Sequence, residues 1–491
     1  MFIRRLKNRS GNISIQIISK SEKKYRVVKT IGCGKSQQEI ELLYQQARQE
    51  LVLLEGKQSL FVSIEDAQIE AYIQTLTNAQ VQVVGPELVF GKIYDRIGFG
   101  VIEEELFRHL VITRLFHPGS KLKTIDYLLR YQSIHKTSDA IYRFLDKLRH
   151  GLKQQVEDIA FAHTLKVLKG KISVVFYDMT TLHFEASEED DLRKTGFSKA
   201  GKHQNPQIYL GLLVGMDGYA IGYDIFEGNI FEGNTLIPVL QKFEKRFNLI
   251  KPIVVADAGL LSNSNIALLE QQHYHYILGG RIKNESQSIR VQIQKVKWAD
   301  GHRITIKKEN QKLIVAYSDK RAAKDEHNRK RGLKRLEKNL KSGKLTKSQI
   351  NNKGYNKYLS LIGELKVVID YNKFEQDKQW DGLKGYITNA PLSSKKIIDN
   401  YKQLWQIEKA FRISKTDLEI RPIYHRLRHR IEAHICIAFT AYSIYKELER
   451  ILKKKKSHLS VKRAAELTHT MYQLKIILPD TKHQKNVLLK M

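Results

Sequence analysis

Three acidic residues of this sequence, Asp178, Asp257 and Glu408, stand where a carboxylate needs a cation. Asp178 follows the apolar run ISVVFY and Asp257 follows PIVVA. Such runs read as buried strands, and a carboxylate at the end of one is set at the mouth of a sheet, where ligands of open α/β sheets bind. Glu408 lies in YKQLWQIEKAFRISK, residues 401–415, a helical pattern with Leu404, Ile407, Phe411 and Ser414 in its stripe. A carboxylate beside a packed stripe costs free energy unless something cationic meets it. Acids brought together repel unless a divalent ion neutralises them. Oxygen-only ligands suit Mg²⁺ or Mn²⁺. Three carboxylates can hold two such ions about 3.5–4 Å apart, the arrangement that clamps both oxygens of an in-line phosphoryl displacement. Structural roles stay open for the same residues. Asp257 before AGLLSNSN has the form of a turn residue or helix N-cap, and Glu408, with Arg412 one turn on and Lys415 beyond it, has the form of a member of an intrahelical ion-pair set.

The cations point to a polyanion. Tyr401, Glu408, Arg412 and Lys415 fall on roughly one side of a helix, which makes sense if a phosphate backbone lies across the acids. Arg426, Arg428 and Arg430, with His425 and His429, form a second cationic stretch that suits either DNA backbone contact or a solvated helix entry. A helical run from Arg321 to Lys347 holds 11 Lys or Arg against 3 acids. Trp405 reads as a core residue, with stacking on an unpaired base as the alternative. The whole chain has 84 Lys and Arg against 52 Asp and Glu, a net charge of +32 in 491 residues, and nucleic acid is the expected partner of such an excess. Its two cysteines, Cys33 and Cys436, exclude a disulfide framework or zinc finger and suit a reducing compartment. The basic start lacks the apolar stretch of a signal peptide. The apolar run at 435–445 is too short to span a bilayer. A cytoplasmic protein without membrane contact, associated with the nucleoid, is expected.

The elements that must position these residues follow from periodicity. Residues 12–31 read as a hairpin, followed by helices at 38–54, 100–118 and 138–168, the last broken near Gly151. This defines a region 1–165, a hairpin plus helices. From 171 the order is strand, strand, strand, helix, strand, helix, strand, a mixed α/β layer assigned to 166–285. Short strand patterns and the basic helix fill 286–390. Helices return over 391–455, and 456–491 is a basic tail.

Tyr401, Glu408 and Lys415 resemble the Tyr-x2-Arg-x3-Glu-x6-Lys signature of DDE transposases of bacterial insertion sequences, in the large "IS four" superfamily. Leu404 departs from the pattern at the Arg position, and Arg412 or Lys402 is the nearest substitute cation. FYDMTTLHFE and VVADAGLLSNSNI resemble the family's two aspartate motifs, and YLGLLVGMDGYAIGYDIFEGN the hairpin between them. RPIYHRLRHRIEAHICIAFTAY resembles the region after the glutamate. The resemblance covers about 170–280 and 385–450. It implies an RNase H-like mixed-sheet α/β core interrupted by a β-rich insertion, with Asp178, Asp257 and Glu408 as catalytic and metal-holding residues; Tyr401 and Lys415 of the signature, with Arg412 beside them, are expected to orient phosphates. It also implies cleavage of double-stranded DNA at inverted-repeat ends, joining of the 3′ ends to target DNA and a homodimer in the DNA complex; the hairpin and helices of 1–165, outside the resemblance, are expected to bind the ends. Two competing functions are a metal-dependent nuclease of this fold without strand transfer and a catalytically inactive DNA-binding protein derived from a transposase.

Overall fold

The computed structural model describes residues 1–8, 11–21, 24–55, 69, 73, 80–147, 151–196, 204–248, 250–257, 262–346, 348, 350–351, 354–362, 366–477 and 483–489. The chain divides into two compact units.

The first unit spans 1–80 with 476–485. Strands β1 (Phe2–Lys7), β2 (Ile13–Ser21) and β3 (Lys24–Gly34) form an antiparallel sheet, and α1 (Gln37–Leu54) packs on it through Ile15, Ile17, Ile40 and Ala47. The expected hairpin is β2–β3. Ser36 opens α1 with a capping box: its Oγ accepts from Glu39 N–H, and Glu39 Oε2 accepts from Ser36 N–H.

The second unit begins with β4 (Val81–Val83) and the helices α2 (Lys92–Ile97), α3 (Glu105–Phe116), α4 (Lys121–Gln132), α5 (Ser138–Lys147) and α6 (Leu152–Val167). The break near Gly151 falls between α5 and α6. Then come β5 (Val174–His183), β6 (Gln207–Val214), β7 (Ala220–Glu227), α7 (Leu236–Phe247), β8 (Ile253–Ala256), α8 (Asn263–Gln271) and β9 (Tyr276–Gly280), in the order expected. The segment 286–390 contributes α9 (Gln287–Gln294), β10 (Arg303–Lys308), β11 (Gln311–Tyr317), α10 (Asp319–Lys341), β12 (Leu359–Ile362), β13 (Lys366–Ile369), α11 (Tyr371–Lys378) and β14 (Leu383–Thr388). Among the described residues, three of its five strands, β10, β11 and β14, join the main sheet, while β12 and β13 pair separately.

The main sheet has eight strands in the order β10-β11-β14-β9-β8-β5-β6-β7. β8 is parallel to both β5 and β9, and the other pairs are antiparallel. Side chains alternate across the sheet. Val174, Phe176, Leu182, Val255 and Ile277 face one core, shared with the helices before β5 and after β14. Val175, Tyr177, Met179, Val254 and Leu278 face the other, shared with α7 and α8.

The C-terminal segment, expected to return to helices over 391–455, does so with breaks. It runs α12 (Ser394–Lys402), α13 (Trp405–Arg412), a π turn over Ile413–Asp417, an extended stretch, α14 (Arg428–Lys454) and α15 (Val461–Thr468), followed by β15 (Tyr472–Ile477) and β16 (Gln484–Leu488). The extended stretch contains Pro422, which cannot donate into a helix. Its carbonyls are satisfied from outside: Arg114 donates to those of Leu418 and Glu419 at 2.8 and 3.1 Å, and His434 to that of Ile420 at 2.9 Å. Among the described residues, no helix is long and apolar enough to cross a membrane.

Candidate active site

Asp178 lies inside β5, not after it. The strand continues through Thr180 and Thr181 to His183 because these residues keep pairing with β6, where Asp178 stands opposite Leu212. Its Oδ1 accepts from the N–H of Met179 at 2.8 Å. Asp257 follows the last residue of β8 directly. The parallel register runs from Val174–Ile253 to Phe176–Val255. Carried on two residues, it sets Asp257 beside Asp178. Both are an even step from residues of the same core, so both belong to the same face.

α12 and α13 pack on that face, α12 over β8 and β9 and α13 over β5. Buried Tyr401, in the last turn of α12, donates its hydroxyl to Asp257 Oδ1 at 3.2 Å. Burial and the Asp257 charge push its phenol above the ordinary tyrosine range, so it stays a donor. Glu408 is exposed on α13 and lines, with Asp257, a cavity of about 660 Å³. Tyr401, Lys384, Arg321 and Trp405 line it as well.

Among the described residues, the helix-capping role weighed for Asp257 and the ion pairs weighed for Glu408 are not found, and the turn weighed after Asp257 falls on residues 258–261, outside those described. α8 is capped by Ser262, whose side chain accepts from Asn265 N–H, so Asp257 is not its N-cap. Among the described residues Glu408 makes no hydrogen bond or salt bridge. Lys415, a possible intrahelical partner, instead donates to Thr180 Oγ1, two residues from Asp178 on the same face of β5. The single helix face expected for Tyr401, Glu408, Arg412 and Lys415 is broken between α12 and α13 and again at the π turn, which carries Lys415 to β5. Arg412 is exposed at the end of α13.

The second cationic stretch is divided. Arg426 is exposed. Arg428 bridges Asp191 and Glu432 at 3.0 and 3.1 Å. Arg430 grips both oxygens of Asp146 at 2.6 and 2.7 Å. Trp405 is not a core residue: it is 49% exposed at the cavity, with Lys409 Nζ 5.6 Å from its ring centroid. Within the basic helix α10, Arg329 is buried against Asp381 and Phe374 and serves packing.

Sequence reasoning missed Lys384, and it took Arg321 only as the start of the basic helical run, without its place at the cavity. Lys384 precedes Tyr386 by two residues on β14, the strand alternation that would place it on the face of Asp178 and Asp257. Its ammonium lies 4.4 Å from the Tyr401 ring centroid and 5.8 Å from that of Tyr386. Burial lowers its pKa, as does Arg321, while Asp257 and Glu408 pull it up.

The donor set fits hard divalent ions, since Asp257 and Glu408 present carboxylate oxygens to an open cavity. Among the described residues, no three His, Cys, Asp or Glu side chains are grouped to hold one ion.

Comparison with known proteins bears on this arrangement. A curated relative, the transposase for insertion sequence element IS231E of Bacillus thuringiensis subsp. finitimus, is 28% identical over 212 residues, 41% of this chain. The match spans 39% of that relative's length. A piggyBac transposase synaptic complex with hairpin DNA is similar at a TM-score of 0.40 and 9% identity, covering 79% of this chain and 78% of that one. The Mos1 transposase paired-end complex gives 0.16 and 12%, over 34% and 56%. Both are too distant in shape to add to the fold described above. Residues 169–444 match the family described as Transposase DDE domain. That range holds more than half of the chain and runs from ahead of β5 into α14, so the chain belongs to the DDE-domain transposases of insertion sequences.

Proposed function

We propose that this chain is a divalent-metal-dependent DNA transposase with an RNase H-like core, in which Asp178, Asp257 and Glu408 are the catalytic carboxylates. One observation carries the reading: Asp257 and Glu408 open into one cavity, neither capping a helix nor paired with a base, over the sheet face that bears Asp178. Two Mg²⁺ or Mn²⁺ ions, when bound, would supply charge neutralisation, an activated nucleophile and stabilisation of the leaving oxygen. The chain's own residues prepare that chemistry. Tyr401 fixes Asp257 through its hydroxyl. Lys415, anchored on Thr180 two residues along β5 from Asp178, meets a phosphate of the element's end. Arg412 and Arg426 offer exposed cations to the backbone, and Arg428 and Arg430 reach it by exchanging their carboxylate partners for phosphate. The DNA is double-stranded: inverted-repeat ends, bound in part by residues 1–165, and a target. Two protomers pair the two ends, in the cytoplasm at the nucleoid.

The test is a cleavage and joining assay with end-bearing DNA, Mg²⁺ and a target plasmid. Asp178→Asn, Asp257→Asn and Glu408→Gln should each abolish cleavage and leave DNA binding largely intact. Mutants that cut normally would refute the site. Wild-type protein that cuts without joining would be the nuclease, and one that binds without cutting the inactive derivative.

A further inference from the structure

The family's signature carries an arginine where this chain has Leu404, a core residue only 7% exposed that can hold no anion. Neither substitute offered by nearby sequence fits well. Arg412 is not among the residues lining the cavity that holds Asp257 and Glu408. Lys402 lies at that cavity, but its side chain is 68% exposed and pairs with Asp399 at 3.7 Å. We propose that Lys384, with Arg321 beside it, is the phosphate-binding cation that replaces the missing arginine. The inference rests on the transposase reading above and names residues that reading does not use.

Geometry supports it at each step. Lys384 extends from β14 on the face shared with Asp178 and Asp257, and it lines the cavity with Asp257 and Glu408. Its ammonium rests between two rings set nearly at right angles, Tyr386 and Tyr401, with centroids 5.0 Å apart. Cation–π contact holds the group in place without using up its three N–H donors. Among the described residues Lys384 makes no hydrogen bond or salt bridge. The same Tyr401 whose ring meets Lys384 donates to Asp257, so the cation and the acid are fixed by one side chain. Arg321, in the first turn of α10, lines both cavities that hold Asp257 and Lys384, and its own carboxylate partner, Asp325, is 3.5 Å away. A phosphodiester approaching two carboxylates meets repulsion. A positive pair at the same cavity offsets it and holds a non-bridging oxygen there.

Lys384→Met tests this, because it keeps the aliphatic stem against the rings and removes the charge. Binding to a duplex carrying the terminal repeat that flanks the gene is followed by fluorescence anisotropy at several salt concentrations. Each phosphate contact contributes about 0.9 to the slope of log affinity against log salt. Lys384→Met should flatten that slope by about one contact and slow single-turnover cleavage by roughly 100-fold, the loss typical of one donor to a reacting oxyanion. Lys384→Arg should restore most of both. A side chain that merely supports Tyr401 would leave the salt slope unchanged, and an unchanged slope with normal cleavage overturns the proposal. The slope is read without catalysis. A wild-type protein that binds but never cuts would therefore end the transposase reading while the slope still decides the role of Lys384.

Discussion

Tyr401→Phe removes one oxygen and tests how the site is held. The Tyr401 ring is only 5% exposed and sits in the main core, edge-on to Tyr386. All of that packing survives in phenylalanine. What is lost is the hydroxyl's bond to Asp257 Oδ1. A hydrogen bond to a charged group contributes about 1.5–3 kcal/mol net. The low end applies, for two reasons. The 3.2 Å separation exceeds the ~2.5–2.7 Å of strong O–H···O⁻ bonds. Asp257 is also exposed, so water replaces the lost donor. A loss of ~1.5 kcal/mol is about tenfold in an equilibrium constant. Because the hydroxyl orients a carboxylate expected to carry metal, the tenfold should appear as a rise in the Mg²⁺ concentration for half-maximal cleavage, within the ~10–100-fold seen when a ligand's hydrogen-bond partner is removed. The rate at saturating Mg²⁺ should change little, and so should the melting temperature. The assay is single-turnover cleavage across a Mg²⁺ titration, with a thermal melt alongside. An unchanged half-saturation would refute the link between Tyr401 and the metal-bearing acid. A collapse of the melting temperature would show that the hydroxyl serves the core instead.

Two further outcomes follow from contacts around the site. Thr180→Val removes the acceptor that anchors Lys415. Losing a charge-assisted bond of ~1.5 kcal/mol should slow cleavage about tenfold in single-turnover assays without lowering the melting temperature. Glu447 on α14 has a fully buried side chain between Arg450, 2.6 Å away, and His163, 3.3 Å away. Burial alone would raise its pKa, but the hydrogen bonds from Arg450 and His163 outweigh it and bring it from 4.5 down to about 2. A depressed carboxylate stabilises the fold fully above pH 4.5, and that contribution fades as pH falls towards 2. It is worth ~3 kcal/mol on the scale of 1.36 per unit. Wild-type melting temperature should therefore fall more steeply than that of Glu447→Gln between pH 5 and 3, and parallel curves would contradict the linkage.

Much of this arrangement was legible in the sequence because periodicity reports which side of an element is buried. The apolar runs located β5 and β8, and the polar residue ending β8 is Asp257. The end of β5 was misplaced because Thr180 and Thr181 look like loop residues until β6 is known to pair with them. Trp405 lies one residue off the stripe of Leu404, Ile407 and Phe411, so the periodicity already turned it outward, and only its size suggested the core. The break between α12 and α13 has no glycine or proline to announce it. Lys384 was invisible for another reason. It reaches the site because β14 inserts between β11 and β9, a pairing between distant segments that no local pattern encodes.

Parity ties these residues together. Asp178 and Thr180 on β5, Asp257 after β8, and Lys384 and Tyr386 on β14 each lie an even number of residues from a side chain of the core beneath α12 and α13. Their odd-step neighbours, Tyr177, Met179, Ala256, Leu383 and Ile387, fill the opposite core. A register slip of one residue in any of these strands would turn a carboxylate or ammonium into that second core and an apolar side chain out to the cavity. Burying an unpaired charge costs several kcal/mol, so the packing that holds the sheet in register also holds the charged groups on one face. The site therefore needs little local rigidity of its own. Asp257 can follow the end of a four-residue strand, exposed and held by one phenol, because the strands on either side fix where it must emerge.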